Sequence, residues 1–280
     1  MKADGMDATT DRQLIRVEED DGIFTLVIDR PEKRNAMNPA MLRQMHQVLS
    51  ELRFDPRVRV LIVTGVGESF SAGMDLKEMF YDMTEEQKTI ERAKISAISQ
   101  EARQILRLFP APTIAAVNGW CFGGAFSIVC PCDIAIAAEE ATFGLSEINF
   151  RAIPGGMIMK FITETLRPRE GLYYALTGKT FSGKRAAEIG LVTMAVPRER
   201  LMAEVREHAE LLRGKDAIAL RETKEAYKIS MRMSYEEATS YALAKASQSN
   251  YLQGLSGMHE GIGDFIKEKK YKPGLEHVKR

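Results

Sequence analysis

Two adjacent glycines, Gly123 and Gly124, stand where an apolar run from Thr113 to Val117 gives way to a second apolar segment of helical length. The residues between them and the run are Asn118-Gly119-Trp120-Cys121-Phe122. Such a passage needs a buried strand on one side and a packed helix on the other. Residues without a Cβ let the backbone approach a neighbour or a ligand closely. The first N–H groups of the helix that follows add partial positive charge. The spot suits a developing negative charge, such as the oxygen of a thioester turning into an enolate. Taken alone, a Gly-Gly pair is better explained by close helix–strand packing.

Two further segments change that balance. Gly65-Val66-Gly67-Glu68-Ser69-Phe70-Ser71-Ala72-Gly73-Met74-Asp75-Leu76-Lys77 also follows a strand-like run, Val60-Leu61-Ile62-Val63. Ala141-Thr142-Phe143-Gly144-Leu145-Ser146-Glu147-Ile148-Asn149 embeds a glutamate in a largely apolar, glycine-punctuated stretch. In this order the three resemble the crotonase (enoyl-CoA hydratase/isomerase) superfamily. The resemblance continues in Arg30-Pro31-Glu32-Lys33-Arg34-Asn35-Ala36-Met37 and in Thr177-Gly178-Lys179-Thr180-Phe181-Ser182, and covers most of residues 13–275.

Composition excludes several other classes. Of 280 residues 45% are hydrophobic and 28% charged, enough for a sizeable core. Lys and Arg number 39 against 39 Asp and Glu, so there is no basic footprint for nucleic acid. No apolar run approaches the roughly 18 residues of a membrane span. Residues 1–12 are polar and lack a secretory h-region, so a disordered tail and a cytoplasmic protein are expected. Cys121, Cys130 and Cys132 read as reduced, structural thiols, because four metal ligands at zinc spacing are not present. No metal site is expected. Gly65-Val66-Gly67 lacks the third glycine of a dinucleotide fingerprint, since position 70 is Phe70. His46, His208, His259 and His277 are scattered and read as surface residues.

Alternation in Ile15–Glu19 and Ile23–Asp29 around Asp20-Asp21-Gly22 predicts a hairpin. Asn38 and Pro39 predict a helix start, with Met41, Met45, Val48, Leu49 and Leu52 on one face. Strand-like runs at 60–64, 113–117 and 133–138 alternate with helical patterns, which argues for an α/β architecture. No internal repeat of fixed period is visible. From Leu201 onward the pattern is helical, so the chain divides into an α/β core over 13–200 and a helical region over 201–280. The resemblance implies a spiral of ββα units with a C-terminal helical trimerisation region. It also implies a homo-oligomer, a trimer or a dimer of trimers.

Hydration of an α,β-unsaturated thioester needs stabilisation of negative charge on the thioester oxygen and a base to deliver water. By resemblance the oxyanion donors are the backbone N–H groups of Met74 and Gly124. Typical hydratases of the superfamily carry two glutamates, and here the first position holds Ser127 while the second is Glu147. In apolar surroundings Glu147 is expected to have a raised pKa, suited to proton transfer near neutrality. The plainer role for Glu147 is a capping or salt-bridged carboxylate.

Serine in place of the first glutamate, with the motifs around Gly123-Gly124 and Glu147, looks closest to the hydroxycinnamoyl-CoA (feruloyl-CoA) hydratase-lyase branch. That branch hydrates an aryl-acryloyl thioester, then cleaves it in a retro-aldol step to an aromatic aldehyde and acetyl-CoA. Members hold the para-hydroxyl of the ring with two tyrosines. Here the corresponding positions carry Met79 and Leu243, with Tyr81 and Tyr241 displaced by two residues. An apolar aryl pocket that favours para-alkoxy over para-hydroxy rings is therefore expected. The resemblance places Lys33, Arg34, Ala36 and Ala72 along the CoA, Trp120 and Gly123 among the substrate-binding residues, and Phe265, Lys267 and Lys270 towards a neighbouring subunit's CoA. No separate cofactor is implied, because CoA arrives as part of the substrate. The rival readings are a plain enoyl-CoA hydratase that stops at the 3-hydroxyacyl thioester and a non-catalytic CoA-binding scaffold.

Overall fold

A computed structural model describes residues 12–82 and 85–267. The tail predicted over residues 1–12 falls outside them except for Arg12, as do Lys270 and His277. The chain forms two compact units, one ending at Gly214 and the other starting at Lys215.

The first unit opens with the expected hairpin, β1 (Ile15–Asp20) and β2 (Ile23–Ile28), paired antiparallel. Its turn places Asp21 and Gly22 at φ 48° and 78°, the left-handed geometry that a tight hairpin demands. Helix α1 (Pro39–Leu52) starts where Asn38 accepts a hydrogen bond from Met41 N at 2.9 Å and Pro39 supplies a pre-set φ. Met41, Leu42, Met45, Leu49 and Leu52 form its buried face. Then follow β3 (Val60–Gly65), β4 (Ser69–Ser71), α2 (Glu85–Arg107), β5 (Thr113–Val117), β6 (Trp120–Phe122) and α3 (Phe126–Val129). Next come β7 (Ile134–Ala138), β8 (Thr142–Gly144), α4 (Ile158–Thr165), α5 (Pro168–Thr177), β9 (Thr180–Ser182), α6 (Gly183–Glu188), β10 (Met194–Val196) and α7 (Leu201–Arg213).

From β3 to β8 successive strands alternate between two sheets. One sheet has the order β1-β2-β3-β5-β7-β10 and is parallel after the first hairpin. The other has the order β4-β6-β8-β9, with β4, β6 and β8 parallel. Each pair (β3 and β4, β5 and β6, β7 and β8) thus gives one strand to each sheet, which winds the chain into a spiral. The repeat escapes the sequence because the links between turns differ so much in length, from α2 to the single turn of α3. Strands buried on both faces read as continuous apolar runs, and β3 and β5 are buried throughout.

Two expectations need correction. Helix α7, grouped by its pattern with the C-terminal helices, buries Leu201, Val205 and Ala209 and packs on β3, β5 and β7. An amphipathic helix covers an apolar sheet face wherever it lies in the chain, so the first unit runs to Gly214 and not to residue 200. The apolar segment after Gly123-Gly124 forms a 3₁₀ turn and then only Phe126–Val129. So short a helix adds little dipole, and the turn's own N–H groups are what the passage offers.

The second unit contains α8 (Ala217–Ser230), α9 (Tyr235–Leu252) and α10 (Gly257–Ile266). Asp216 caps α8, and Ser234 with Glu237 forms a capping box on α9. Among the described residues no helix is long and apolar enough to cross a membrane, and no cluster of side chains has the make-up of a metal site.

Candidate active site

The loop after β2 and the loop after β4 are tied together before any reacting group is placed. Asn35 is fully buried at φ 56°, a left-handed conformation that asparagine tolerates. Its Nδ2 donates to Val66 O at 3.0 Å and Ser69 O at 2.7 Å, while its Oδ1 accepts from Arg30 N at 2.8 Å. Ser71 Oγ donates to Asn35 O at 2.7 Å and accepts from Gly73 N at 3.1 Å. Ala72 N donates to Arg34 O, and Met37 N to Gly73 O, at 2.8 and 2.7 Å. Arg30 closes the assembly by donating to Asp75 Oδ2 at 2.7 Å and Glu78 Oε1 at 2.6 Å. Burial works to raise the Asp75 carboxyl, but the Glu78 N–H, the Arg30 guanidinium and the Lys77 N–H outweigh it and hold it below the usual range. Sequence reading missed Asn35 and Ser71 as anchors; the one signal was their place inside the motifs.

This rigid frame brings Gly73-Met74 against Gly123-Gly124. A Cβ on Gly73 would fall 3.2 Å from Gly124 N and 2.5 Å from Phe122 O. A Cβ on Gly124 would fall 3.3 Å from Met74 N. Among the described residues neither the Met74 nor the Gly124 N–H donates a hydrogen bond, although Gly124 is buried and Met74 half-buried. Two neighbouring, unused backbone donors are what an oxyanion requires.

Glu147 begins a 3₁₀ turn, Glu147–Phe150, directly after β8. Its Oε1 lies 2.7 Å from where a Cβ on Gly123 would stand, so only glycine leaves room for the carboxyl. Gly123 also sits at φ 46°. Oε2 of Glu147 is buried with no hydrogen-bond partner. Burial lifts the carboxyl above its ordinary 4.5, opposed only by a hydrogen bond from its own backbone. The salt-bridged alternative thus has no counter-ion here. Ser127 is buried, and its hydroxyl donates to Gly124 O at 2.6 Å. That bond fixes the glycine turn and leaves Ser127 as a brace behind it, not as a second carboxylate-like group.

Around this centre, Arg34 stacks on Trp120 with Cζ 4.1 Å from the ring centroid, and both are exposed. Lys33 is exposed beside them, with Ala36 and Ala72 half-buried. Met79 is buried in the apolar core, whereas Tyr81 is 84% exposed. In the second unit the Tyr241 hydroxyl donates to Glu225 Oε1 at 3.0 Å, so it is engaged within its own helical pair. Leu243, Phe265 and Lys267 are exposed. Cys121 and Cys132 are buried and the three thiols are unlinked, with burial pushing Cys130 up to about 12.

Residues 18–273 match the enoyl-CoA hydratase/isomerase family. The chain is 44% identical to the hydroxycinnamoyl-CoA hydratase-lyase of Pseudomonas fluorescens, over 95% of this chain and 96% of that one. It is 31% identical to a probable enoyl-CoA hydratase of Mycobacterium bovis, over 92% and 96% of the two chains. The fold matches the crystal structure of an enoyl-CoA hydratase from Mycobacterium smegmatis with a TM-score of 0.85 at 25% identity, covering 92% and 97%. The chain belongs to the enoyl-CoA hydratase/isomerase family, the crotonase superfamily, and is an enzyme of it.

Proposed function

We propose that the enzyme hydrates an aryl-acryloyl-CoA thioester and then cleaves the adduct to an aromatic aldehyde and acetyl-CoA. The observation that carries this reading is the Glu147 carboxyl, with its buried Oε2 lacking a partner, packed over Gly123 beside the neighbouring N–H groups of Met74 and Gly124. The likeness to the Pseudomonas fluorescens hydratase-lyase supports the cleavage step.

Glu147, as carboxylate, takes a proton from water as its oxygen bonds to the benzylic carbon. The double-bond electrons pass to the thioester oxygen, held by the two N–H groups, and the resulting enolate takes the proton from Glu147 at Cα, which returns Glu147 to carboxylate. For cleavage Glu147 accepts the β-hydroxyl proton, and the Cα–Cβ bond breaks. The hydroxyl-bearing carbon leaves as aldehyde, and its bonding pair forms a second enolate in the same hole. Protonation of that enolate yields acetyl-CoA. One oxyanion hole serves both steps, and one base suffices because in each step Glu147 takes a proton from the β-oxygen and returns it to the enolate carbon.

The exposed Arg34–Trp120 pair and Lys33 suit the adenine and phosphates of CoA, since a guanidinium forks onto phosphate and stacks on flat rings. Exposed apolar side chains in the second unit, among them Leu243, Tyr251, Leu255 and Met258, support assembly into a trimer or a dimer of trimers. In such an assembly Phe265 and Lys267 reach a neighbour's CoA.

A product assay with cinnamoyl-CoA tests the reading. Aldehyde and acetyl-CoA in equal amounts are expected. Accumulation of the 3-hydroxy thioester alone would favour a plain hydratase, the activity named for the mycobacterial relative.

A further inference from the structure

The motif over residues 30–37 ends in a methionine, Met37, that the chemistry above does not use. It is 1% exposed, between the loop after β2 and the start of α1. Its main chain meets Met74 in an isolated parallel bridge. Met37 N donates to Gly73 O at 2.7 Å, and Met37 O accepts from Asp75 N at 2.9 Å. The groups on either side of Met74 are thus both committed to Met37. In a trans peptide the carbonyl of one residue and the N–H of the next point in opposite directions. With Gly73 O turned towards Met37, the Met74 N–H is turned away from it. On that other side stands the glycine turn, with Met74 N 3.3 Å from the Cβ position of Gly124. The bridge to Met37 aims the first donor.

The side chain of the same residue reaches the second donor. Met37 Cε lies 3.1 Å from the position a Cβ on Gly124 would take. Met74 Cγ lies equally close to that position, so two methionine chains pack on one glycine. Met37 has little freedom of its own. Ser71 Oγ holds Asn35 O at 2.7 Å, and Arg30 Nη1 holds Ala36 O at 3.0 Å. The same Arg30 nitrogen donates to Asp75 Oδ2 at 2.7 Å, so one guanidinium ties the two segments of the bridge together. Directly after Met37, Asn38 caps α1. A residue fixed on both sides can hold its neighbours in place.

We propose that Met37 is a positioning residue for the oxyanion hole. Its main chain sets the aim of the Met74 N–H, and its thioether methyl sets the seat of Gly124. The proposal rests on these two N–H groups being the hole that the function above requires. Two donors must meet one oxygen, and a misplacement of about 1 Å can cost about 10²-fold in rate. A residue bonded beside one donor and packed on the other couples the two, so that neither drifts alone. Charge builds on the oxygen as the reaction proceeds, so a loosened hole weakens the transition state more than the bound thioester.

The test uses the full-length enzyme, with the hole and turnover read separately. Infrared difference spectra of bound 3-phenylpropanoyl-CoA, isotopically labelled at the thioester carbonyl, report the pull of the hole on that oxygen. This saturated thioester cannot be hydrated. Steady-state kinetics with cinnamoyl-CoA report turnover. In the wild type the carbonyl band should move to lower frequency on binding. Met37→Ala removes the thioether and leaves the main-chain bridge. It should lose much of the band shift and lower kcat by about 10–100-fold, with KM nearly unchanged. Met37→Leu keeps apolar bulk but ends one atom short of Cε, so it should fall between the two. It decides alone should Met37→Ala fail to fold. Met45→Ala, at another buried position on α1, should cost stability but leave the band and the kcat of the folded enzyme as in the wild type. Met37 variants that keep the full band shift, whatever their kcat, overturn the proposal and leave the hole standing. So does a Met45→Ala loss of band shift and kcat as large as that of Met37→Ala. A wild type with no band shift would remove the hole and the proposal together.

Discussion

Two glutamates in this chain, Glu147 and Glu222, face the same physics with opposite results. Glu222 on α8 is 4% exposed, ion-paired with Lys245 and bonded by Arg221 Nε at 3.0 Å. Burial works to raise its carboxyl, but Lys245 and Arg221 outweigh that and hold it below the ordinary value. Lys245 also pairs with Glu225 at 3.1 Å, and Glu225 accepts the Tyr241 hydroxyl. Glu147 has no such company, and its carboxyl moves up. Where every charge is answered from within the chain, the arrangement serves cohesion. Where a buried carboxyl oxygen and two N–H groups are left without partners within one unit, the arrangement is suited to a substrate.

The sharpest way to break this contrast is at Glu147. Glu147→Gln should lower kcat by about 10²–10⁴-fold with little change in thioester affinity, measured by steady-state kinetics and calorimetry. Wild-type-like turnover would remove the base. In the wild type the acid limb of kcat/KM should lie above the 4.5 of an ordinary glutamate, because the base works only when ionised. The same shift bears on stability. With the folded pKa above the unfolded one, the native state holds the extra proton between the two values, so stability falls as pH rises through that window. Glu147→Gln should then melt higher than wild type at neutral pH, a gain that disappears below the unfolded carboxyl's pKa.

Next in size is the donor pair. Gly124→Pro removes one N–H and should cost about 10²–10³-fold in kcat, provided circular dichroism shows a folded chain. An unchanged rate in a folded variant would end the assignment of that N–H. On the paired side of the contrast, Lys245→Met strips the cation from Glu222 and Glu225. It should destabilise the protein by about 3 kcal/mol in denaturant titrations, with no loss of kcat for the folded fraction. The smallest effect belongs to Ser127→Ala. It deletes one buried hydrogen bond, costing about 1 kcal/mol, and should lower kcat far less than Glu147→Gln. A loss as large as that of Glu147→Gln would make Ser127 a reacting group after all.

Much of this was legible beforehand because it rests on local chemistry. The hairpin at Asp21-Gly22, the Asn38-Pro39 helix start and the buried runs of β3 and β5 each follow from a few adjacent residues. The raised carboxyl of Glu147 followed from its apolar neighbours. The spiral did not, since which sheet receives a strand depends on pairing across distant segments, and the links between turns share no common length. Periodicity alone does not place helix α7, because it reports an apolar face but not that the sheet covers it. The burial of Arg103, 8% exposed on α2, escapes the sequence for a related reason. An arginine in a polar helical stretch reads as a surface charge until the fold shows that α2 turns it inward against Gly156.

The pairing of β4 with β6 aligns Ser71 with Cys121. Met74 and Gly124 each lie three residues beyond that aligned pair. The two donors therefore stand just past the ends of neighbouring parallel strands, and their closeness follows from the spacing of those strands, about 4.8 Å in any sheet. A long loop can drift by more than that without unfolding, but three residues beyond a paired position leave little chain in which to drift. Chemistry that needs two N–H groups at a fixed reach is thus gauged by the backbone itself, and side chains facing the substrate are free to vary from one thioester to the next.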